Sequence, residues 1–193
     1  MQTELQIFLI RHGETDWTKS GQHTGTTDIP LTETGKEQAL ILKQRLQEVL
    51  FEAVYCSPMT RTKTTCDLAG FKEIRQIDSD AKEWDYGRYE GLTTEEIHEQ
   101  DPEWSIFSMG APEGESLRDV TVRADRMLKK LSTHQKRVAL FSHGHFLRAL
   151  AARWLQLPVQ EGRLFSLSVA SIGILGFEHQ SHTIHLWNST SSF

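Results

Sequence analysis

A chain of 193 residues is long enough to bury a substantial core in one domain without disulfide staples. Its 21 basic and 26 acidic side chains give a net charge of −5 with no basic block or stripe, which argues against an electrostatic surface for nucleic acid or anionic membrane. No apolar run approaches the roughly 18 to 20 residues that a membrane span needs, and with no signal peptide the two cysteines, Cys56 and Cys66, are expected as reduced core thiols of a cytoplasmic protein.

Residues 6–10 are mostly apolar and β-prone, and the run stops at Arg11-His12-Gly13, so a buried strand opens there into a polar turn. Apolar positions Ala39, Leu40, Leu42, Leu46, Val49 and Leu50 then recur with helical spacing behind Thr32, a plausible N-cap. Residues 53–56 read as a second strand and 59–68 as a helix broken at Gly70, with Pro58 suited to its first turn. Residues 73–78 make a weaker third strand. From 83 to 116 the chain is irregular, five glycines and prolines among them punctuating Trp84, Tyr86, Tyr89, Trp104 and Phe107; such a piece in a compact domain reads as a cap or binding loop. Only 93–99 within it looks helical. An amphipathic helix over 115–131 follows, its Arg118, Arg123, Arg126, Lys129 and Lys130 read as a solvated face. Residues 138–141 are strongly β-like, 143–157 form an apolar helix stopped by Pro158, and 168–178 with 183–187 look like a terminal pair of strands before a frayed tail at 188–193. The alternation predicts one domain over 1–193, a three-layer α/β/α fold with a mainly parallel sheet.

Three strand ends carry unusual polar groups: Arg11-His12-Gly13, Ser57-Pro58-Met59-Thr60-Arg61, and Ser142-His143-Gly144-His145. If the strands are parallel neighbours, two arginines and two histidines converge at one sheet edge, where ligands collect in open α/β folds. Two guanidinium forks match a phosphate dianion, and helices starting near Pro58 and His143 would add amide donors.

These blocks resemble the histidine phosphatase superfamily, which also holds the cofactor-dependent phosphoglycerate mutases. The likeness runs from Leu9-Ile10-Arg11-His12-Gly13-Glu14-Thr15 through Thr24-Gly25, Asp28, Pro30-Leu31-Thr32, Cys56-Ser57-Pro58 with Arg61 and Thr65, Glu83-Trp84-Asp85-Tyr86-Gly87 and Pro112-Glu113-Gly114-Glu115-Ser116 to Phe141-Ser142-His143-Gly144, nearly the whole chain. It is strongest for a subgroup of small acid and sugar-bisphosphate phosphatases. The resemblance implies a phosphoglycerate mutase-like fold and a metal-independent phosphomonoesterase. His12 would be the nucleophile that becomes phosphohistidine, Arg11, Arg61 and His143 would hold the phosphoryl oxygens, and Glu83 would serve as acid and then base. Only a neutral imidazole can attack, and Arg11 and Arg61 disfavour the imidazolium of His12.

Around that centre Thr18, Thr24, Gly25, Gly144, His145, Trp84 and Tyr86 are expected at phosphate or substrate. Thr18 stands where mutases usually carry Asn, and His145 where many relatives have Gly; core packing competes for each aromatic, and Glu14 is expected to brace Arg11 or Arg61. A metal site built on His143 and His145, or on His179, His182 and His185, lacks carboxylate or cysteine companions, so no metal or cofactor is expected. The expected partner is a small phosphorylated metabolite, with no nucleic acid and no membrane, and a homodimer left open. Two rival functions remain, a phosphoglycerate mutase and a non-catalytic phosphate-binding module. Against the mutase stands a scarcity of cations: residues 83–116 contain only Arg88, and none follows Arg163.

Overall fold

The computed structural model describes residues 5–190. Strand β1 (Gln6–Arg11) leads through a short helix α1 (Asp16–Ser20) to α2 (Glu33–Leu46), then β2 (Ala53–Cys56), α3 (Thr60–Cys66) and β3 (Arg75–Ile77). Two short helices, α4 (Thr94–His98) and α5 (Ile106–Met109), interrupt the irregular segment before α6 (Leu117–Leu131), β4 (Arg137–Ser142), α7 (Gly144–Trp154), β5 (Ile172–Glu178) and β6 (Ser181–Ser189). Six strands form one sheet in the order β3-β2-β4-β1-β5-β6. The first four lie parallel, and β5 and β6 add an antiparallel edge, so the sheet is mixed though mainly parallel.

Every side chain of the central strands is buried on alternate faces, as the near-continuous apolar runs require. Ile7, Leu9, Val138 and Leu140 pack with α6, α7 and the aromatics of 83–116 on one side. Phe8, Ile10, Val54, Cys56, Ala139 and Phe141 pack with Leu42, Leu46 and Cys66 on the other. The register pairs Arg11 with Ser142 and Cys56 with Phe141, so the carboxyl ends of β1, β2 and β4 reach the same edge and their polar sequels emerge together.

Several local expectations are corrected. Thr32 does cap α2, its hydroxyl accepting from Gly35 N, but that helix ends at Leu46, leaving Leu50 85% exposed. Pro58 precedes the N-cap of α3, Met59, and stands outside the helix; a π turn over Asp67–Phe71, with Gly70 at φ 98°, follows Cys66. Helix α5 has no periodic signature to betray it. Of the tail, Asn188 and Ser189 belong to β6, and 191–193 lie outside the described residues. Cys56 and Cys66 are buried free thiols. Arg123 is not on a solvated face: it is buried, bidentate to Glu115, and donates to the carbonyls of Asp80, Lys82 and Glu83.

Candidate active site

The loop after β1 is held by close backbone approach. A Cβ on Gly13 would lie 2.4 Å from the Gly35 carbonyl, and one on Gly35 would lie 2.2 Å from that of Glu14, so only glycine at both positions lets α2 seat against this loop. Gly13 N also donates to Thr65 Oγ1 on α3. His12 is thereby fixed at the strand end and 4% exposed. Its Nδ1 lies 2.8 Å from the Gly13 carbonyl oxygen, which can only accept, so the proton sits on Nδ1 and Nε2 keeps its lone pair. Burial, then the charges of Arg61 and Arg11, push protonation of His12 well below the ordinary histidine range.

His12 and His143 meet edge to face with ring centroids 5.2 Å apart. His143, fully buried at the head of α7, accepts from Arg61 Nε at Nδ1 (3.2 Å) and therefore donates from Nε2 to Ser57 Oγ (2.7 Å). Burial first, and Arg61 second, keep it neutral. Arg61 is more committed than a free fork: NH1 donates to Thr27 O and NH2 to Thr24 O and Gly25 O. Of five guanidinium donors one remains for an anion.

Arg11 donates through NH1 to Leu167 O, while its buried Nε has no partner. An orphaned guanidinium donor beside a neutral imidazole marks the place of an anion.

The amide donors expected from the helices are already taken. Asp28 Oδ1 accepts Thr60 N at the head of α3. Glu83 stands at the head of α7: its Oε1 accepts Trp84 N and Phe146 N, both at 2.8 Å, and its Oε2 accepts His145 N at 3.0 Å. A carboxylate of the chain itself occupies the position an anion would favour at each helix start. Glu83 Oε1 has spent both lone pairs, so Oε2 is the oxygen with one left to carry a proton. Arg123, clamping the Glu83 carbonyl from behind, is a positioning residue that sequence reasoning missed. Its signal was there: position 123 falls on the same stripe as Val120, Ala124, Met127 and Leu131, all buried.

A cavity of about 160 Å³ opens over these groups, lined by Arg11, His12, Glu83, Thr18, Thr24, Tyr86 and His145 among others. The other sequence-derived residues fall differently. The Thr18 hydroxyl closes a capping box with Thr15, so it is no free donor. Gly25 gives its amide to Glu90 and its carbonyl to Arg61. Gly144 packs on the Arg11 guanidinium. Trp84 belongs to the core, 0% exposed with Nε1 on Glu115 O, and does not line the cavity. Glu14 braces neither arginine; it accepts from Thr32 Oγ1. Tyr86 and His145 form a pair at 2.5 Å. Burial raises the phenol well above its ordinary value and lowers the imidazole well below its own, so Tyr86 donates to Nδ1 and His145 carries its proton on Nε2. The scarcity of cations around 83–116 is also corrected: Arg148 from α7 and Arg163 from the turn after it stand against that segment.

A stability prediction follows from the neutral imidazoles. His12 and His143 bind protons less readily in the fold than in the unfolded chain, so below about pH 6.5 the unfolded state carries more protons. Stability is then full above that pH and falls on acidification by roughly 1.4 kcal/mol per pH unit for each histidine. Melting should drop between pH 7 and pH 5, with inorganic phosphate restoring part of the loss; a melting temperature flat across that range would show imidazoles that titrate freely.

A family model described as the histidine phosphatase superfamily (branch 1) matches residues 7–190. An acid phosphatase of Mycobacterium tuberculosis is 46% identical over 178 residues, 90% of this chain and 87% of the relative. A sedoheptulose 1,7-bisphosphatase of Saccharomyces cerevisiae is 33% identical, over 81% of this chain and 69% of its own. The solved structure of a Mycobacterium tuberculosis open reading frame product superposes with a TM-score of 0.91 at 43% identity, covering 95% of this chain and 96% of that one.

Proposed function

The chain belongs to branch 1 of the histidine phosphatase superfamily and is a hydrolase of small phosphate monoesters, and from that premise we propose that it works through a phosphohistidine formed on His12. The observation that carries the assignment is the tautomer of His12: Nδ1–H is spent on Gly13 O, leaving a buried, unprotonated Nε2 beside the orphaned Nε of Arg11. Nε2 attacks phosphorus, the N–P bond forms as the P–O ester bond breaks, and Glu83 Oε2 gives its proton to the departing alkoxide. The resulting carboxylate takes a proton from water, whose oxygen attacks phosphorus and breaks the N–P bond, releasing inorganic phosphate and His12. Arg11 and the last free donor of Arg61 balance the charge of the transferring group. His143 acts from behind, holding Arg61 through Nδ1.

A cavity of about 160 Å³ suits a phosphoryl group with a short stem, hence a small phosphorylated metabolite as substrate. Residues 83–116 act as the cap that chooses it. Two buried free thiols fit the reducing cytoplasm, and among the described residues no helix is long and apolar enough to cross a membrane.

The deciding experiment compares phosphate release with 2- to 3-phosphoglycerate interconversion, with and without 2,3-bisphosphoglycerate. Release is expected to dominate and to survive a chelator, since no step above calls for a metal. Interconversion that outpaces release and is stimulated by the bisphosphate would assign a mutase, and no turnover of any ester would leave a binding module.

A further inference from the structure

A second cavity, about 320 Å³, adjoins the first, and His23 and His145 line both. Their rings, 5.9 Å apart between centroids, form the passage from one to the other. Beyond it stand Trp104 and Phe107 from the cap, Arg148 from α7 and Arg163 from the following turn; among the described residues lining this cavity there is no Asp or Glu. In a chain of net charge −5 such a place is selected rather than average.

Arg148 is built in rather than draped on the surface. Its guanidinium lies over the Phe107 ring, 4.7 Å from the centroid, with Nε donating to Gly162 O at 3.1 Å and NH2 to Arg163 O at 3.3 Å. Those bonds fix the plane of the fork and leave both NH1 donors and one NH2 donor uncommitted. No carboxylate hydrogen-bonds it. A half-buried guanidinium held in place without an anionic partner is costly unless an anion arrives. On the other side of the passage His145, accepting from Tyr86 at Nδ1, offers Nε2–H to whatever links the two cavities.

We propose that this cavity binds a second anionic group of the substrate, a phosphate or a carboxylate, with Arg148 as its principal donor and Arg163 in support. The preferred substrates are then phosphate monoesters bearing a further anion a short carbon chain away, the chain passing between His23 and His145 and resting on Trp104 and Phe107. Arg163, exposed and 3.3 Å from Glu161, has a weak tie to release when the anion binds. The inference rests on the reading of His12 as the phosphoryl site, and its test separates the two.

The test measures kcat and KM of wild type and Arg148→Gln on four esters. Nitrophenyl phosphate and glycerol 3-phosphate carry one anion, fructose 1,6-bisphosphate carries a second phosphate, and 3-phosphoglycerate carries a carboxylate. Wild type should favour at least one of the two-anion esters over glycerol 3-phosphate. In Arg148→Gln that preference, taken as a ratio of kcat/KM values, should fall roughly 10- to 100-fold and mostly through KM, the size of a lost hydrogen bond to a charged group. Which of the two falls tells phosphate from carboxylate. A purely structural Arg148 lowers all four alike and leaves the ratio unmoved; that outcome, or a wild type without preference, overturns the proposal while hydrolysis of nitrophenyl phosphate leaves the His12 reading standing. Failure to hydrolyse any of the four overturns both.

Discussion

His12→Ala should abolish phosphatase turnover, by at least about 10⁴-fold, the scale on which loss of a covalent nucleophile is felt. The protein should remain folded. What the substitution removes is one hydrogen bond to Gly13 O and an imidazole beside an open cavity, while the backbone bonds that anchor the position, His12 N to Ser142 O and Ala170 N to His12 O, are untouched. Melting at neutral pH should stay near that of wild type, and below pH 6.5 the variant should lose less stability on acidification, because one of the imidazoles that resists protonation is gone. Rapid quenching without acid should trap phosphohistidine on wild type and none on the variant. Near-normal turnover by His12→Ala, with no phosphohistidine on wild type, would show that the phosphoryl group is transferred directly to water and that His12 only shapes the cavity.

The core of this site was legible because it is written at strand ends. Apolar runs that stop at Arg11-His12, Ser57-Pro58 and Ser142-His143 declare both the strands and the edge at which they finish, and a parallel register then brings the polar sequels together. What could not be read is who partners whom. The first amides of α3 and α7 are satisfied by Asp28 and Glu83, one from a loop 32 residues before its partner and the other 62 and 63 residues before; nothing local in the chain assigns an anion of the protein, rather than of a ligand, to a helix start. Trp84 and Tyr86 lie two residues apart in a stretch without period, and only the fold sends one into the core and the other to the cavity. Arg123 and Arg148 belong to helices whose apolar stripes were visible. A long aliphatic stem lets arginine share such a stripe while its head finds carbonyls or a ligand on the far side, so a charged letter in the right register was read as solvent-facing when it was not.

Glu83→Gln should slow hydrolysis of alkyl phosphates by roughly 10²-fold or more and that of nitrophenyl phosphate much less. The asymmetry comes from the leaving group: an alkoxide needs a proton as the P–O bond breaks, and nitrophenolate leaves without one. The structure adds a second, separable effect. Glu83 accepts three backbone N–H groups, two at Oε1 and one at Oε2, and a glutamine can offer an acceptor at only one of these positions. With the amide oxygen kept on Trp84 N and Phe146 N, its NH2 faces the N–H of His145, donor against donor, at a cost of about 1–3 kcal/mol. The variant should therefore melt several degrees lower, and α7 should loosen at its first turn, which amide exchange at His145 would report. That structural loss reaches both substrates equally, since both need His145 and Gly144 in place, whereas loss of the proton reaches only the alkyl ester. The ratio of the two rates, measured well below melting, isolates the acid from the scaffold: a ratio unchanged from wild type would reduce Glu83 to a cap on α7, and the proton for the alkoxide would have to come from another group on the cavity wall, of which the Nε2–H of His145 is the best placed.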